Sequence, residues 1–351
     1  MPETLRRVAS AGTMGAGLVL AAQRSDITRK ESFQFEQQTI TCAESCFHWR
    51  HRHRCALRRP VQAEDTAIGE GWAMKFDCPA CDRPTLHQFL YAKNNCTIVK
   101  CSVCGLGRAQ CGEFDPGVYY SSDYFSGERA DGYADYQGAE AVLRREFSRS
   151  LEFIRRHQAG GRLLEIGCAY GFFLQEAATF YEVTGIEIAE AAARSCRERG
   201  LRVVTGLADE RILAQLGMMD VIVMLDVIEH LPDPHATLTL CNRHLNPGGI
   251  IVITTGDFGS LYARLAGPHW RLMTPPQHLW YFTPESLSRM SRSLGLTVAA
   301  YDHPWKLVPL SLIGFQASRM LGVRYPRRLA GGGVGIPVNF FDAMRWVLRK
   351  H

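Results

Sequence analysis

The chain lacks any apolar run long enough to cross a bilayer, which takes about 20 residues. Its nearest approach is residues 10–22, behind Arg6 and Arg7. That stretch superficially resembles a signal peptide, but it is rich in Gly and Ala rather than Leu. A strong excess of charge is missing too. Forty Lys and Arg against 35 Asp and Glu give +5 over 351 residues, which by itself does not argue for a nucleic-acid partner. A dinucleotide fingerprint is absent as well. G-x-G-x-x-G needs a glycine where this chain has Ala169, so the Gly167–Gly171 loop suits a pyrophosphate poorly. Residues 1–73 lack a sustained apolar period. They are expected to be a disordered extension, because such a segment cannot bury enough apolar surface to order itself. The rival reading is a metal cluster of Cys42, Cys46, His48, His51, His53 and Cys55, whose spacings fit no standard site.

Beyond these absences, 46% hydrophobic and 21% charged residues describe an ordinary globular chain of one large or two smaller domains. Residues 162–187 carry the clearest pattern. Leu163, Leu164 and Ile166 lead into a glycine turn, Gly167-Cys168-Ala169-Tyr170-Gly171, and a second apolar run ends at Glu187. This is the layout of a nucleoside site in a doubly wound sheet. The glycines let backbone approach the ligand, and an acid after the second strand accepts hydrogen bonds from ribose hydroxyls. An adenosine without phosphates fits it best.

From Arg162 onward, short apolar runs alternate with helical patterns. Strands are expected at 162–166, 182–187, 202–205, 220–225 and 250–255, and helices near 171–180, 190–199, 208–216 and 234–245. The alternation implies a parallel sheet with helices on both faces. Thr283-Pro284-Glu285 starts another helix, with an N-cap, a proline in the first turn and an acid beside it. That helix runs to about Leu294, and Leu296–Ala300 forms a sixth strand. Upstream, Leu143, Phe147, Leu151 and Ile154 recur at helical spacing, so Glu140–His157 is an amphipathic helix.

Over roughly residues 74–351 the chain resembles the class I S-adenosylmethionine (SAM)-dependent methyltransferases. Four motifs in order carry the resemblance: Glu165–Gly171 as the E-x-G-x-x-x-G loop, Glu187 as the ribose acid, Asp220–Pro234 as the fourth strand with its D-V-I-E-H-x-x-D-P segment, and Leu245–Thr255 as the turn and fifth strand. The resemblance implies a Rossmann-like α/β fold with a seven-stranded sheet, its last strand antiparallel and matched by Met344–Lys350. It implies SAM as cofactor. Glu165 would then bind the ammonium group. Gly167, Cys168, Ala169, Tyr170 and Gly171 would curl around the methionine part, and Glu187 and Ile188 would meet the ribose. Leu207 and Ala208 would flank adenine, and Asp226 and Val227 would lie beside the methionine moiety. The acid usual near adenine is displaced here, in Gly206-Leu207-Ala208-Asp209, and Thr255-Gly256-Asp257 stands where many relatives read Thr-Pro-Asn.

Cys78-Pro-Ala-Cys81 and Cys101-Ser-Val-Cys104 are two C-x-x-C knuckles. Four thiolates at this spacing make a closed tetrahedral site, so residues 74–112 read as a zinc ribbon with a structural metal. Disulfides between the knuckles do not suit the reducing, cytoplasmic compartment expected of such an enzyme. The strands between the knuckles carry only Lys93 and Lys100, not the basic aromatic face of a nucleic-acid module. Residues 113–157 hold a Tyr-rich segment, read either as a lid over the cofactor or as ordinary packing, and then the amphipathic helix. The SAM-binding domain spans 158–351, with insertions at 256–282 and 303–340.

The first insertion leaves a strand carboxyl end, where ligands bind in open α/β sheets. It therefore nominates His278, Trp270 and Tyr281 for the acceptor side. His230 and His278 are the candidate bases, since imidazole titrates near neutrality. Residues 301–351 hold eight Lys or Arg and two Asp, and Arg324, Arg327 or Arg328 suit an anionic group on the acceptor. The stretch 305–328 reads as a cap in preference to a membrane-surface helix, because Pro309 and Gly314 interrupt it. The leading expectation is methyl transfer to a small acceptor such as a sugar, quinone precursor or lipid-linked intermediate. A nicotinamide-dependent oxidoreductase and a zinc-ribbon nucleic-acid binder with a degenerate methyltransferase body are the alternatives.

Overall fold

The structure, a computed structural model, describes residues 73–112, 119, 136–320 and 333–351. The cysteines and histidines between 42 and 55, most of the Tyr-rich segment, and Arg324, Arg327 and Arg328 lie outside the described residues. Four antiparallel strands come first: β1 (Ala73–Cys78), β2 (Arg83–Lys93), β3 (Cys96–Cys101) and β4 (Gly107–Gln110). Each C-x-x-C knuckle lies where a strand ends, at Cys78 and at Cys101, and the two knuckles meet. Cys96 is joined to Cys111 by a disulfide, a pairing that the spacing of the knuckles does not announce.

Helix α1 (Glu140–Arg155) buries Leu151 and Ile154, as its spacing dictates. Next come β5 (Gly161–Ile166), α2 (Phe172–Ala177), β6 (Tyr181–Glu187), α3 (Glu190–Glu198), β7 (Val203–Thr205), α4 (Glu210–Leu216) and β8 (Met219–Leu225). A single 3₁₀ turn at Ile228–His230 leads to α5 (Pro234–Arg243) and β9 (Leu245–Gly256). Then follow α6 (Leu261–Ala266), β10 (Trp280–Tyr281), α7 (Pro284–Ser293), β11 (Leu296–Asp302), β12 (Lys306–Pro309), α8 (Leu310–Met320), β13 (Gly335–Val338) and β14 (Ala343–Lys350).

Seven strands form the main sheet, in the order β11-β14-β9-β8-β5-β6-β7. β5 to β9 pair in parallel, while β14 runs antiparallel to both β9 and β11. The central strands are apolar on both faces, as strands covered by helices must be. Ile222, Met224, Ile251 and Ile253 pack on one face with Leu213, Leu238 and Leu287. Val221, Val223, Ile250 and Val252 pack on the other with Leu151, Ile154 and Phe173. The two-residue alternation therefore assigns the core to two layers.

β9 starts at Leu245, five residues before its expected start. Leu245 pairs with Met219 and Ile250 with Val221, so the intervening Asn-Pro-Gly-Gly bulges out of register. Both insertions contain strands. β12 and β13 form a separate two-stranded sheet, whereas β10 pairs with β4 and becomes the fifth strand of the cysteine-bearing sheet. Among the described residues, no helix is long and apolar enough to cross a membrane.

Candidate functional site

The chain leaves β5 through a glycine turn and enters α2. Gly167 and Gly171 adopt φ of +74° and +73°, a left-handed conformation in which side chains are strained. A Cβ on Gly167 would also stand 2.7 Å from Val227 Cγ2. Glu187, at the end of β6, braces this loop. Its Oε2 accepts from Ala169 N and its Oε1 from Ala189 N, each at 2.8 Å. Each oxygen keeps a second lone pair with which a ribose hydroxyl can bond. Burial raises the Glu187 carboxyl above its ordinary range, against the pull of these backbone donors.

Glu165, on β5, is buried, and its Oε2 has no hydrogen-bond partner among the described residues. Burial, then the neighbouring Cys196 and Glu187, push its carboxyl well above the usual range. A buried acid oxygen without a partner is costly, and a ligand ammonium would match it. Cys196 lies against the loop, and its Sγ donates to Ala169 O at 3.2 Å. Tyr170 stacks on Phe172, and Ile188 follows Glu187 out of β6. Leu207, just beyond β7, is 48% exposed and is followed by the half-buried Ala208. An orphaned acid, a braced glycine loop and an open apolar lip together fit an aminoacyl nucleoside such as SAM.

Asp226, the residue after β8, adopts a left-handed conformation, with φ +56°. Its Oδ1 accepts from Thr254 Oγ1 and its Oδ2 from Lys306 Nζ, both at 2.8 Å. Burial alone would raise the Asp226 carboxyl, but Lys306 and Thr254 outweigh it and hold it below its usual range. Lys306 also pairs with Glu146 of α1 at 3.5 Å. Thr254, Lys306 and Glu146 help line a cleft of about 260 Å³. Sequence reasoning missed Lys306, Glu146 and Thr254. They come from three distant elements, and no local pattern marks them as neighbours.

Glu229, His230 and His278 converge, with one ligand-type atom of each within 4.8 Å of the others. The imidazoles meet edge to face with centroids 4.7 Å apart. His230 Nδ1 donates to Gln277 O at 2.8 Å, and the same ring meets the Asp226 carbonyl. The His278 ring hydrogen-bonds the Leu272 carbonyl. Burial, then the charge of His230, pulls His278 down to about 3, and burial lowers His230 as well. Both rings are therefore neutral at pH 7. Burial, then Asp226, raises Glu229 to about 8, so it is largely protonated there.

Trp270 and Tyr281, expected on the acceptor side, have their side chains buried, with the Tyr281 ring centroid 6.3 Å from that of His278. Both are buried with Phe258, Ile98 and Met273 in the core between the cysteine-bearing sheet and the insertion. Trp270 Nε1 donates to Asp342 at 2.8 Å, which Arg271 also grips with two bonds of 2.9 Å. An aromatic run at a strand's carboxyl end reads the same whether it lines a pocket or fills a core.

Cys78, Cys81, Cys101 and Cys104 place their sulfurs within 4.8 Å of one another. Cys78 Sγ lies 3.5 Å from Cys104 Sγ, and Cys81 Sγ lies 4.0 Å from Cys101 Sγ. Tetrahedral zinc with bonds of about 2.3 Å sets its sulfurs roughly 3.8 Å apart, so the four thiols fit that ion.

Residues 139–301 match the family described as a methyltransferase domain. The ubiquinone biosynthesis O-methyltransferase of Methylococcus capsulatus is 28% identical over 191 residues, covering 50% of this chain and 81% of that protein. Its namesake from Aromatoleum aromaticum is 30% identical, covering 42% and 70%. That of Cereibacter sphaeroides is 31% identical, covering 46% and 68%. Among solved structures, a SAM-dependent methyltransferase from Archaeoglobus fulgidus superposes with a TM-score of 0.44 at 19% identity, covering 64% of this chain and 98% of that one.

Proposed function

This chain belongs to the class I SAM-dependent methyltransferases, and from that premise we propose that it methylates a hydroxyl of a small acceptor of the quinone-precursor kind. SAM, when bound, supplies an activated methyl group for in-line displacement. The protein's part is to position the acceptor and manage its proton. Glu165 meets the ammonium group and Glu187 the ribose hydroxyls, while Gly167 to Gly171 keep backbone close to the ligand. Leu207 and Ala208 flank adenine. Asp226 and Val227 border the methionine part, with Asp226 fixed by Lys306 and Thr254.

The observation that carries the acceptor reading is the pair of neutral imidazoles beyond β8. A hydroxyl acceptor holds its proton at pH 7, so transfer to its oxygen needs a base. His278, whose basicity burial lowers in the free protein, takes that proton once the bound acceptor raises its value toward neutrality. His230, its Nδ1–H fixed on Gln277 O, orients it. The names of the related proteins, ubiquinone biosynthesis O-methyltransferases, support transfer to oxygen of a quinone precursor, and the basic balance of residues 301–351 supports an anionic group on it. The four cysteines hold one structural Zn²⁺.

The test is a screen of hydroxylated quinone precursors with methyl-labelled SAM, together with calorimetry against SAM and NAD. We expect a labelled methyl ether and micromolar SAM binding. Label on a ring carbon would sink the hydroxyl reading, and transfer at full rate by His278→Ala would remove His278 as the base.

A further inference from the structure

The segment that carries His278 is suspended between two anchors. On one side lies the cysteine-bearing sheet. Asn94 Nδ2 donates to Pro275 O at 2.8 Å, and Ala109 N to Leu279 O at 2.9 Å. Trp280 and Tyr281 pair with Arg108 and Gly107. Thr283 Oγ1 donates to Cys104 O, within the second knuckle, at 3.2 Å. On the other side lies the turn after β8. Leu279 N donates to Glu229 O at 2.9 Å, His230 Nδ1 to Gln277 O at 2.8 Å, and Trp280 Nε1 to Leu231 O at 2.9 Å.

A strand of two residues has almost no stability of its own. β10 pairs with β4, and β4 is held at its far end by its pairing with β3 and the Cys96–Cys111 disulfide and at its near end by the knuckle that precedes it. Cys101 N bonds Leu106 O at 2.8 Å, and Gly105 N bonds Cys101 O at 3.0 Å. The junction is also tight. A Cβ on Gly107 would stand 2.9 Å from both Phe258 Cε1 and Tyr281 Cβ. The Arg108 guanidinium lies over the Trp280 ring at 5.2 Å and near Phe76 at 5.4 Å. The cofactor loop is braced elsewhere, by Glu187 of β6.

We infer that the four-cysteine ribbon is a positioning device for the acceptor side: through β4 and β10 it sets where His278 stands against His230, with Gly107, Arg108 and Thr283 as positioning residues. Metal binding supplies the folding energy of small thiolate modules, so loss of the ion loosens β4. β10 loosens with it, and the His278 segment shifts while the cofactor loop stays in place. The kinetic half of this inference rests on His278 being the base. The structural half does not.

The experiment follows the imidazole ¹H–¹⁵N chemical shifts of His278 and His230 in the full zinc-loaded chain, in the same chain after chelation, and in Gly107→Ala and Thr283→Val with zinc retained. SAM affinity is measured by calorimetry and turnover with labelled SAM. Chelation and both variants should move the two imidazole signals and lower turnover roughly tenfold or more, as misplaced catalytic groups do. SAM affinity should stay within about twofold. Imidazole signals that do not move in the chelated chain and in both variants overturn the inference. So does global unfolding on chelation, or a parallel loss of SAM affinity, because the ribbon would then support the whole sheet rather than this segment. Signals that move while turnover holds retain the positioning role and remove His278 as the base.

Discussion

Glu187 is anchored by two backbone donors, so losing it costs the cofactor its ribose acceptor and the loop its brace. Glu187→Ala should weaken SAM binding by about 1–3 kcal/mol, the scale of lost hydrogen bonds to a charged group, as calorimetry would show. Glu229 makes a prediction about pH. Its folded value of about 8 lies above the ordinary carboxylate value, so between the two the folded state holds the extra proton. The stability it contributes is full at low pH and is lost as pH rises through about 8. Glu229→Gln removes that loss. Its melting temperature relative to the parent should rise by a few degrees between pH 5 and pH 9, and an unchanged difference would refute the assignment. His278 has the opposite sign. Its depressed value means stability is present above the ordinary imidazole range and falls as pH drops below it. The places of Glu165 on β5 and Glu187 at the end of β6 were legible in the sequence because each sits at a fixed offset from the glycine turn. Lys306 was not, because its partners Asp226 and Glu146 come from elements far off in the chain.

Secondary elements were legible where a period ran long enough to be read. The apolar runs of β5, β6, β8 and β9 and the spacing in α1 specify themselves. Thr283 caps α7 as its sequence suggests, in a capping box whose other half is Ser286. β10 was illegible, since two residues carry no period and its partner lies in another sheet. The insertion's aromatic residues are accordingly packing groups. Trp270→Ala should cost about 3–5 kcal/mol, the usual range for emptying a buried aromatic site, measured by denaturant unfolding. SAM affinity should hold within about twofold. A variant of parental stability with lost turnover would return Trp270 to the acceptor side.

For the whole molecule, the existence of a small cysteine-bearing sheet beside a larger, mainly parallel one was legible from cysteine spacing and the strand–helix alternation. Their dependence on each other was not, because it lies in long-range pairing. Deleting residues 73–112 removes the partner of β10, the Lys93 and Asn94 donors to Pro268 O and Pro275 O and the Cys104 carbonyl that accepts from Thr283, and Cys96, Ile98 and Ala109 from the Phe258–Trp270 core. The product should aggregate or melt more than 10 °C lower, roughly what a loss of several kcal/mol means for a chain this size. A soluble, SAM-binding protein of near-parental melting temperature would show that the ribbon is detachable. The pairing of β4 with β10 also has a consequence in time. Gly107 and Arg108 leave the ribosome long before Trp280 and Tyr281. At an elongation rate of about 5–20 residues per second, the β4 edge waits on the order of ten seconds or more for its partner. During that interval the nascent sheet shows an unpaired edge of the kind that recruits other strands. Synthesis of this protein therefore passes through a stage in which its earliest-made strands depend on chaperones or on speed.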